Sequence, residues 1–297
     1  MSTAAQFQSV HADRSPRLAQ RRLRNIRWTI VHLLLLTFGL LMIFPFAWTV
    51  GTSLKQSGEI FTWPPTLYPL HPRPANYVDL FRSVPFVLWL RNSLVITAGA
   101  TIGAVLSSTL TGYAFARLRY PGRDALFTLC LSTMMLPGIV TLIPSFILYK
   151  NLGWIDTFFP LIVPSWLGTP FYIFLARQYF RTIPREYEEA ARVDGATSWR
   201  IWWTLMLPMA KTLIGAIIIF SFIAHWNDFL GPLIYLNSVE KQPLALGLRG
   251  LQNFYNTRWD LIMAGSVLMT LPVVVVFFAA QRYFIEGMSA LSGLGGR

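Results

Sequence analysis

Cysteine and charged residues are both scarce in this sequence. Cys130 is the only cysteine among its 297 residues, so no disulfide can form within the chain, and the class of small secreted disulfide scaffolds is excluded. Charged residues make up 13% of the chain, whereas soluble domains usually contain roughly 25%. Disordered chains and coiled coils are excluded as well, because neither is as apolar as this chain.

Apolar residues take the place of the missing charge. They make up 54% of the chain, and the mean hydropathy is +0.48, which leaves an integral membrane protein as the fitting class. A membrane helix needs about 20 largely apolar residues. Uncharged windows of this length occur five times, and a sixth is interrupted only by Asp228. The sequence therefore predicts an all-α integral membrane protein with six transmembrane helices, at about residues 28–52, 90–116, 125–149, 157–177, 212–236 and 260–282.

Basic residues are distributed unevenly between the segments that connect these helices. An even number of spans puts both termini on one side, and 17 of the 25 Lys and Arg residues then lie on that side. Because cytoplasmic segments are enriched in Lys and Arg, both termini are predicted to be cytoplasmic. The same rule accounts for the net charge of +12 without nucleic-acid binding. Residues 1–27 are predicted to be a basic cytoplasmic tail, residues 28–290 a transmembrane domain, and residues 178–211 its longest cytoplasmic loop.

The loop at residues 178–211 is predicted to form two short helices with a turn between them. Glu188 and Arg192 are four residues apart, a spacing that predicts an ion pair along the first helix. Gly195 is expected to end that helix, because glycine adopts a left-handed conformation after a helix without steric penalty. Ala190 and Ala191 form a small, flat patch that another surface can approach closely. The alternative is an ordinary amphipathic helix that lies on the membrane.

The spacing of residues in this loop favours a more specific interpretation. Glu189-Ala190-Ala191 is followed by Gly195 and then by Leu205 and Leu207-Pro208, and this series resembles the EAA coupling loop of binding-protein-dependent ABC importer permeases. The family usually has isoleucine where this chain has Leu205. The strings 183–186, 193–196, 226–229 and 284–288 resemble the carbohydrate-uptake branch of the family, in particular the G-type subunits of maltose permeases, and the likeness covers about residues 30–290.

The resemblance implies a permease subunit of an ATP-driven importer in a bacterial or archaeal cytoplasmic membrane. Its implied partners are a second permease subunit, two ATPase subunits and an extracytoplasmic solute-binding protein. ATP and Mg are expected on the ATPase subunits and no cofactor or metal on this chain, which has no Gly-Lys-Ser/Thr phosphate loop and is not expected to be an enzyme. The resemblance assigns ATPase coupling to Glu188, Glu189, Ala190, Ala191, Asp194, Gly195, Leu207 and Pro208.

The transported solute is predicted to be a sugar or sugar derivative. Trp226, Asn227 and Asp228 combine an aromatic face with amide and carboxylate groups, and they lie towards the outer half of the predicted fifth helix. An ionisable residue within a span indicates a functional site, so these residues are candidates for the substrate path or a gate. The alternative is a helix-packing role without substrate contact.

Two other functions compete with sugar import. The first keeps the importer and changes the solute to an amino acid, peptide or oxyanion. The second is a membrane-embedded enzyme, which needs paired acids or histidines at the bilayer surface. Outside the loop the sequence offers only isolated acids for that role: Asp79, Asp124, Asp156 and Asp260.

Overall fold

The structure, a computed structural model, describes residues 15–252 and 257–294, and the regular elements within these ranges are helices. Residues 1–14 of the predicted tail lie outside the described residues. The α-helices are, in chain order, α1 (Ser15–Ser53), α2 (Ala75–Ser83), α3 (Phe86–Arg117), α4 (Arg123–Ser132), α5 (Gly138–Asn151), α6 (Phe159–Trp166), α7 (Pro170–Thr182), α8 (Glu186–Val193), α9 (Ser198–Ile201), α10 (Leu207–Met209), α11 (Lys211–Trp226), α12 (Leu230–Tyr235), α13 (Leu244–Arg249) and α14 (Trp259–Leu294).

The chain divides into two compact units, residues 1–73 and 74–297. In the first unit, α1 begins at Ser15, so it includes the end of the segment that was predicted to be a tail. The loop after α1 folds back on the end of the helix: Arg73 N–H donates to Leu54 O at 2.8 Å, and the Lys55 ammonium donates to Thr66 O. Lys55 is buried and also lies 5.1 Å from the centre of the Trp48 ring.

The second unit is built around α3. This helix packs against α6, α7 and α11 along its length. Near one end, Tyr113 and Ala116 belong to a buried cluster with residues of α7, the 198–209 segment and α11. At the other end, Phe86 and Trp89 belong to a separate buried cluster with residues of α11, α13 and α14. The helix α3 therefore connects two cores at opposite ends of this unit.

A small residue allows the close contact between α3 and α7. A Cβ atom added to Gly112 would lie 2.4 Å from the Cβ atom of Ala176 and 2.9 Å from the backbone nitrogen of Arg177. A larger side chain at this position would separate the two helices. Small residues serve the same purpose in many membrane helix pairs, where packing replaces the hydrophobic effect as the cause of association.

One of the six predicted spans is bent sharply, and a second sharp bend lies just before the predicted span at 212–236. Within the described residues, four helices are long and apolar enough to cross a membrane: Arg24–Ser53, Phe86–Arg117, Phe159–Thr182 and Trp259–Ala279. This part of the chain has up to six spans if each of two bent helix pairs counts as one. The predicted span at 125–149 bends by 101° between Met135 and Gly138. Pro137 explains the bend, because its ring would clash with the carbonyl four residues earlier in a continuous helix. The other pair, Ser198–Met209 and Lys211–Trp226, bends by 80° and includes the end of the predicted loop.

Candidate functional site

The first helix of the 178–211 loop is α8, and Gly195 ends it. The backbone of Gly195 is left-handed, with φ of 79°. Its N–H donates to Arg192 O at 3.0 Å, and Ala196 N–H donates to Ala191 O at 2.9 Å. These two bonds form a Schellman motif, the arrangement in which a left-handed residue satisfies the last carbonyls of a helix. The predicted helix end at Gly195 is confirmed.

The second helical segment of the loop starts with a side-chain cap. Arg200 N–H donates to Thr197 Oγ1 at 3.4 Å at the start of α9. A single turn of π-helix follows at Trp202–Met206, with Trp202 and Met206 buried. The predicted pair of short helices with an intervening turn is therefore present, and the Trp-rich second helix is attached to the core.

The structure separates the eight predicted coupling residues by their exposure. Glu189, Ala190, Asp194, Gly195 and Pro208 are exposed. Ala191 and Leu207 are half-buried and pack against the cluster that contains Tyr113. Glu188 is buried. The exposed residues thus lie on the surface of the loop, and the others attach that surface to the bundle.

The buried Glu188 carboxylate forms an ion pair with Arg117 at the end of α3. Glu188 Oε1 and Arg117 Nε are 3.0 Å apart, and the exposed fraction of each side chain is below a tenth: 8% for Glu188 and 4% for Arg117. The angle between the groups is not that of a hydrogen bond, so their attraction is electrostatic. Within the described residues the ion pair of Glu188 is with Arg117, and the pair with Arg192 that the four-residue spacing predicted is not formed. The reason is that Glu188 points inward, towards α3, while the Arg192 guanidinium donates to Ser198 Oγ at 3.5 Å.

Burial dominates the electrostatics of Glu188. It raises the pKa of this carboxyl above its usual value, and the nearby Arg117 and Arg192 guanidinium groups lower the pKa only in part. A cavity of about 570 Å³ lies beside the pair. Its lining includes Arg119, Arg185 and Arg192 together with the two acids Glu188 and Glu189, so positive charge exceeds negative charge there.

The three candidate path residues lie at a helix break. The helix α11 ends at Trp226, so Asp228 lies after this helix. The sequence-based prediction that Asp228 lies within the helix is wrong. Pro232 explains the break, because its ring would clash with the Asp228 carbonyl in a continuous helix. Asp228 is half-buried, and its Oδ1 accepts a hydrogen bond from Gly231 N–H at 3.1 Å. This carboxylate therefore caps the start of α12.

The neighbours of Asp228 differ in their surroundings. Trp226 is buried, its Nε1 donates to Met269 O at 3.0 Å, and its ring stacks on Phe222 with 5.3 Å between ring centres. Asn227 is exposed and donates to Ile223 O of its own helix at 2.9 Å. Trp226 is therefore a packing residue, and Asn227 and Asp228 are the two polar groups at the break.

A polar cluster that was not predicted from the sequence joins two loops of the second unit, the loop before α6 and the loop after α12. Asp156 Oδ1 accepts from Asn237 N–H at 3.0 Å and from Ser238 N–H at 2.9 Å, and Oδ2 accepts from Ser238 Oγ at 2.6 Å and from Lys241 Nζ at 2.9 Å. The hydrogen bonds from Ser238 and Lys241 hold the pKa of Asp156 well below its usual range. The only local signal was an aspartate after Gly153 and Trp154 in a turn, since the partners are some eighty residues away in the sequence.

This chain belongs to the family of binding-protein-dependent transport system inner membrane components, which it matches over residues 75–290. It is thus the membrane permease component of an ABC transport system, and its several apolar helices make it a multi-pass membrane protein.

The alignments of this chain with individual relatives cover nearly the whole length of each relative. The arabinooligosaccharides transport system permease protein AraQ of Bacillus subtilis is 35% identical, with 86% of this chain and 92% of the relative covered. The sn-glycerol-3-phosphate transport system permease protein UgpE of Yersinia pestis is 34% identical, with 86% and 94% covered. The lactose transport system permease protein LacG of Rhizobium radiobacter is 32% identical, with 91% and 96% covered.

Solved structures share the fold. A chain of a bacterial ABC transporter involved in the import of the acidic polysaccharide alginate superposes with a TM-score of 0.79 at 24% identity, and 88% of this chain and 97% of that chain are covered. A chain of a bacterial alginate ABC transporter in complex with an alginate pentasaccharide-bound periplasmic protein superposes with a TM-score of 0.59 at 18% identity, with 85% and 92% covered. At this identity the likeness establishes the fold alone.

Proposed function

We propose that this chain is the transmembrane permease subunit of an ATP-driven importer for a sugar or a sugar derivative that a solute-binding protein delivers. The observation that carries the proposal is the family match together with relatives that are named for the transport of arabinooligosaccharides and lactose. The relative named for sn-glycerol-3-phosphate favours a solute class that includes phosphorylated polyols. Among the alternative solutes, this relative supports an anionic one. The alternative of a membrane-embedded enzyme is not favoured by any arrangement of acids described above.

The loop at residues 178–211 is the proposed coupling element. Its exposed face includes Glu189, Ala190, Asp194, Gly195 and Pro208, whose small side chains and acidic groups suit docking in a groove of an ATPase subunit. Ala191 and Leu207 are consistent with this role, because they pack against the buried cluster and so attach the exposed face to the core. Glu188 is proposed to act from inside the protein.

The proposed assembly contains a second permease subunit, two ATPase subunits that bind ATP and Mg, and an external solute-binding protein. The exposed apolar side chains of α5, including Ile139, Val140 and Ile143, suit contact with lipid or with the second permease. Six spans follow if each bent pair crosses the membrane once. With both termini in the cytoplasm, the 178–211 loop faces the ATPase subunits, and the Asp156 cluster and the break at Asp228 lie towards the outside.

Reversal of one charge tests the coupling role. The complex is reconstituted in proteoliposomes with its binding protein, and Glu189→Lys is compared with Glu240→Lys, which makes the same change at an exposed position of the opposite loops. We expect Glu189→Lys to lower sugar uptake and the stimulation of ATP hydrolysis by about tenfold or more, because like charges brought together at a docking surface cost several kcal/mol. The ATPase subunits should also co-purify less well. Normal retention and uptake with Glu189→Lys would show that this face does not couple to the ATPase.

The solute is identified through the binding protein. Its thermal stability is measured with mono-, di- and oligosaccharides, with polyol phosphates, and with amino acids and peptides, since a bound ligand raises the midpoint of unfolding, and raises it more the more tightly it binds. We expect one of these sugars or derivatives to raise the midpoint. Stabilisation by an amino acid or peptide alone would contradict the proposed solute class.

A further inference from the structure

Arg117 connects three elements through one guanidinium group. It is the last residue of α3, and its Nη2 donates to the carbonyl oxygens of Phe180 and Ile183 at the end of α7. Its Nε lies 3.0 Å from Glu188 Oε1 on α8. The planar fork of arginine suits such a role, because it presents several donors at fixed angles, which lysine does not.

The pair of Arg117 and Glu188 is a costly way to attach α8 to the bundle. Both side chains are almost completely withdrawn from water, and removal of two charges from water carries a penalty that their attraction does not always repay. An apolar contact would hold α8 in place at lower cost. Burial also raises the pKa of Glu188, in agreement with this penalty. The pair therefore serves something other than stability alone.

Arg117 connects α8 directly to α3. Near Arg117, α3 contributes Tyr113 to one core, and at its far end it contributes Phe86 and Trp89 to the other. The same helix packs against α6, α7 and α11. A displacement of Glu188 is thus applied to a helix that reaches both cores, as α11 also does through Leu213 and Trp226. The cavity beside the pair leaves room for α8 to change its tilt.

We propose that Arg117 and Glu188 form the link through which α8 moves α3. Arg117 is a positioning residue: it binds neither solute nor ATP, and it transmits the movement of the docked loop to the bundle. This inference rests on the proposed function, in which the exposed face of α8 follows the ATPase subunits. Glu189 then holds the ATPase, and its neighbour Glu188 moves the permease.

The test separates docking from transmission. Arg117→Gln, Glu188→Gln and the double variant are reconstituted with the ATPase subunits and the binding protein, and the number of solute molecules taken up per ATP hydrolysed is measured together with ATPase retention. Arg119→Gln is the matched control, since Arg119 is exposed, lines the same cavity and loses the same charge.

We expect each single variant to keep the ATPase subunits and to lower the uptake per ATP by about tenfold, a typical size for the coupling between two sites. The double variant should be no worse than either single variant, because two residues that act as one link are not additive. Arg119→Gln should keep the wild-type ratio. If Arg117→Gln does not assemble, Glu188→Gln and Arg117→Lys give the same comparison.

Three results would overturn the link. These are an unchanged uptake per ATP in Glu188→Gln, additive losses in the double variant, and loss of the ATPase subunits from the Glu188→Gln complex. A failure of the proposed function looks different, because the wild-type chain itself would then neither retain ATPase subunits nor take up solute with ATP.

Discussion

At the scale of single residues, Gly195 determines the direction in which the loop leaves α8. Its φ is 79°, and a Cβ atom at this position would meet nothing within 4 Å. A substitution there is therefore opposed by backbone conformation and not by a clash. For a β-branched residue the cost is about 1–2 kcal/mol.

Because the cost at Gly195 comes from backbone conformation and not from a clash, the behaviour of Gly195→Val can be predicted. We expect the variant to insert in the membrane, to retain less ATPase and to lose uptake and ATPase stimulation together. Gly195→Asn should keep more activity, because asparagine tolerates the left-handed region. Gly58→Val is the control. The φ of Gly58 is not positive, and a Cβ atom at this position would also meet nothing within 4 Å. The prediction is wrong if the two valine variants are equally active in proteoliposomes.

Asp156 is the residue for which a dependence on pH is expected. Its pKa is lower in the folded protein than in the unfolded chain, since the ionised carboxylate accepts hydrogen bonds from Ser238 and Lys241. Stability from this group is therefore fully present above its unfolded pKa of about 3.9 and is lost as the pH falls further.

We expect Asp156→Asn to lower the free energy of unfolding by about 1–3 kcal/mol at pH 7. The measurement is the unfolding midpoint in detergent at several pH values, with the exposed Asp194→Asn as control. The difference from wild type should shrink below about pH 4. A difference that grows towards acid would contradict the assigned ionisation.

At the scale of elements, the break between α11 and α12 depends on two residues. Pro232 prevents a continuous helix, and the Asp228 carboxylate replaces a lost backbone bond through Gly231 N–H. The side chain also fits closely, because a Cβ atom on Gly231 would lie 2.5 Å from Asp228 Oδ2.

We expect Asp228→Leu to assemble with its partners but to lower uptake, because leucine cannot accept the hydrogen bond at the break. Asp228→Asn should keep most of the uptake, because asparagine caps a helix about as well as aspartate. Uptake and co-purification are measured on the same preparations. Wild-type uptake with leucine would show that Asp228 is not needed for the path or gate.

At the scale of the whole molecule, the distribution of basic residues predicts the orientation in the membrane. A reporter fused after Gly58 or Gly153 should be detected outside, and one after Gly122 or Thr197 inside. Gly122 lies shortly after Arg117, and Thr197 lies shortly after α8, so the result also decides whether the proposed link lies on the ATPase side. An inside signal at Gly58 would reverse the orientation and with it the proposed coupling role.

Local features of the site were predictable, and contacts between distant residues were not. Gly195 was found from the sequence, because a helix end depends on the few residues around it. The partner of Glu188 was predicted wrongly, since a four-residue spacing names a possible neighbour on the same helix but not the competing group on α3. The cluster at Asp156 was missed for the same reason.

The sequence by itself determined that the chain is a helical membrane protein and approximately where its apolar helices lie, because a helix in lipid must satisfy its backbone internally and be apolar over its length. These are properties of consecutive residues. Only the tertiary structure decided that 125–149 bends by 101°, that Asp228 caps a break and that Arg117 holds Glu188. Each depends on which segments lie side by side, and that is set by packing between helices, which no window of consecutive residues contains.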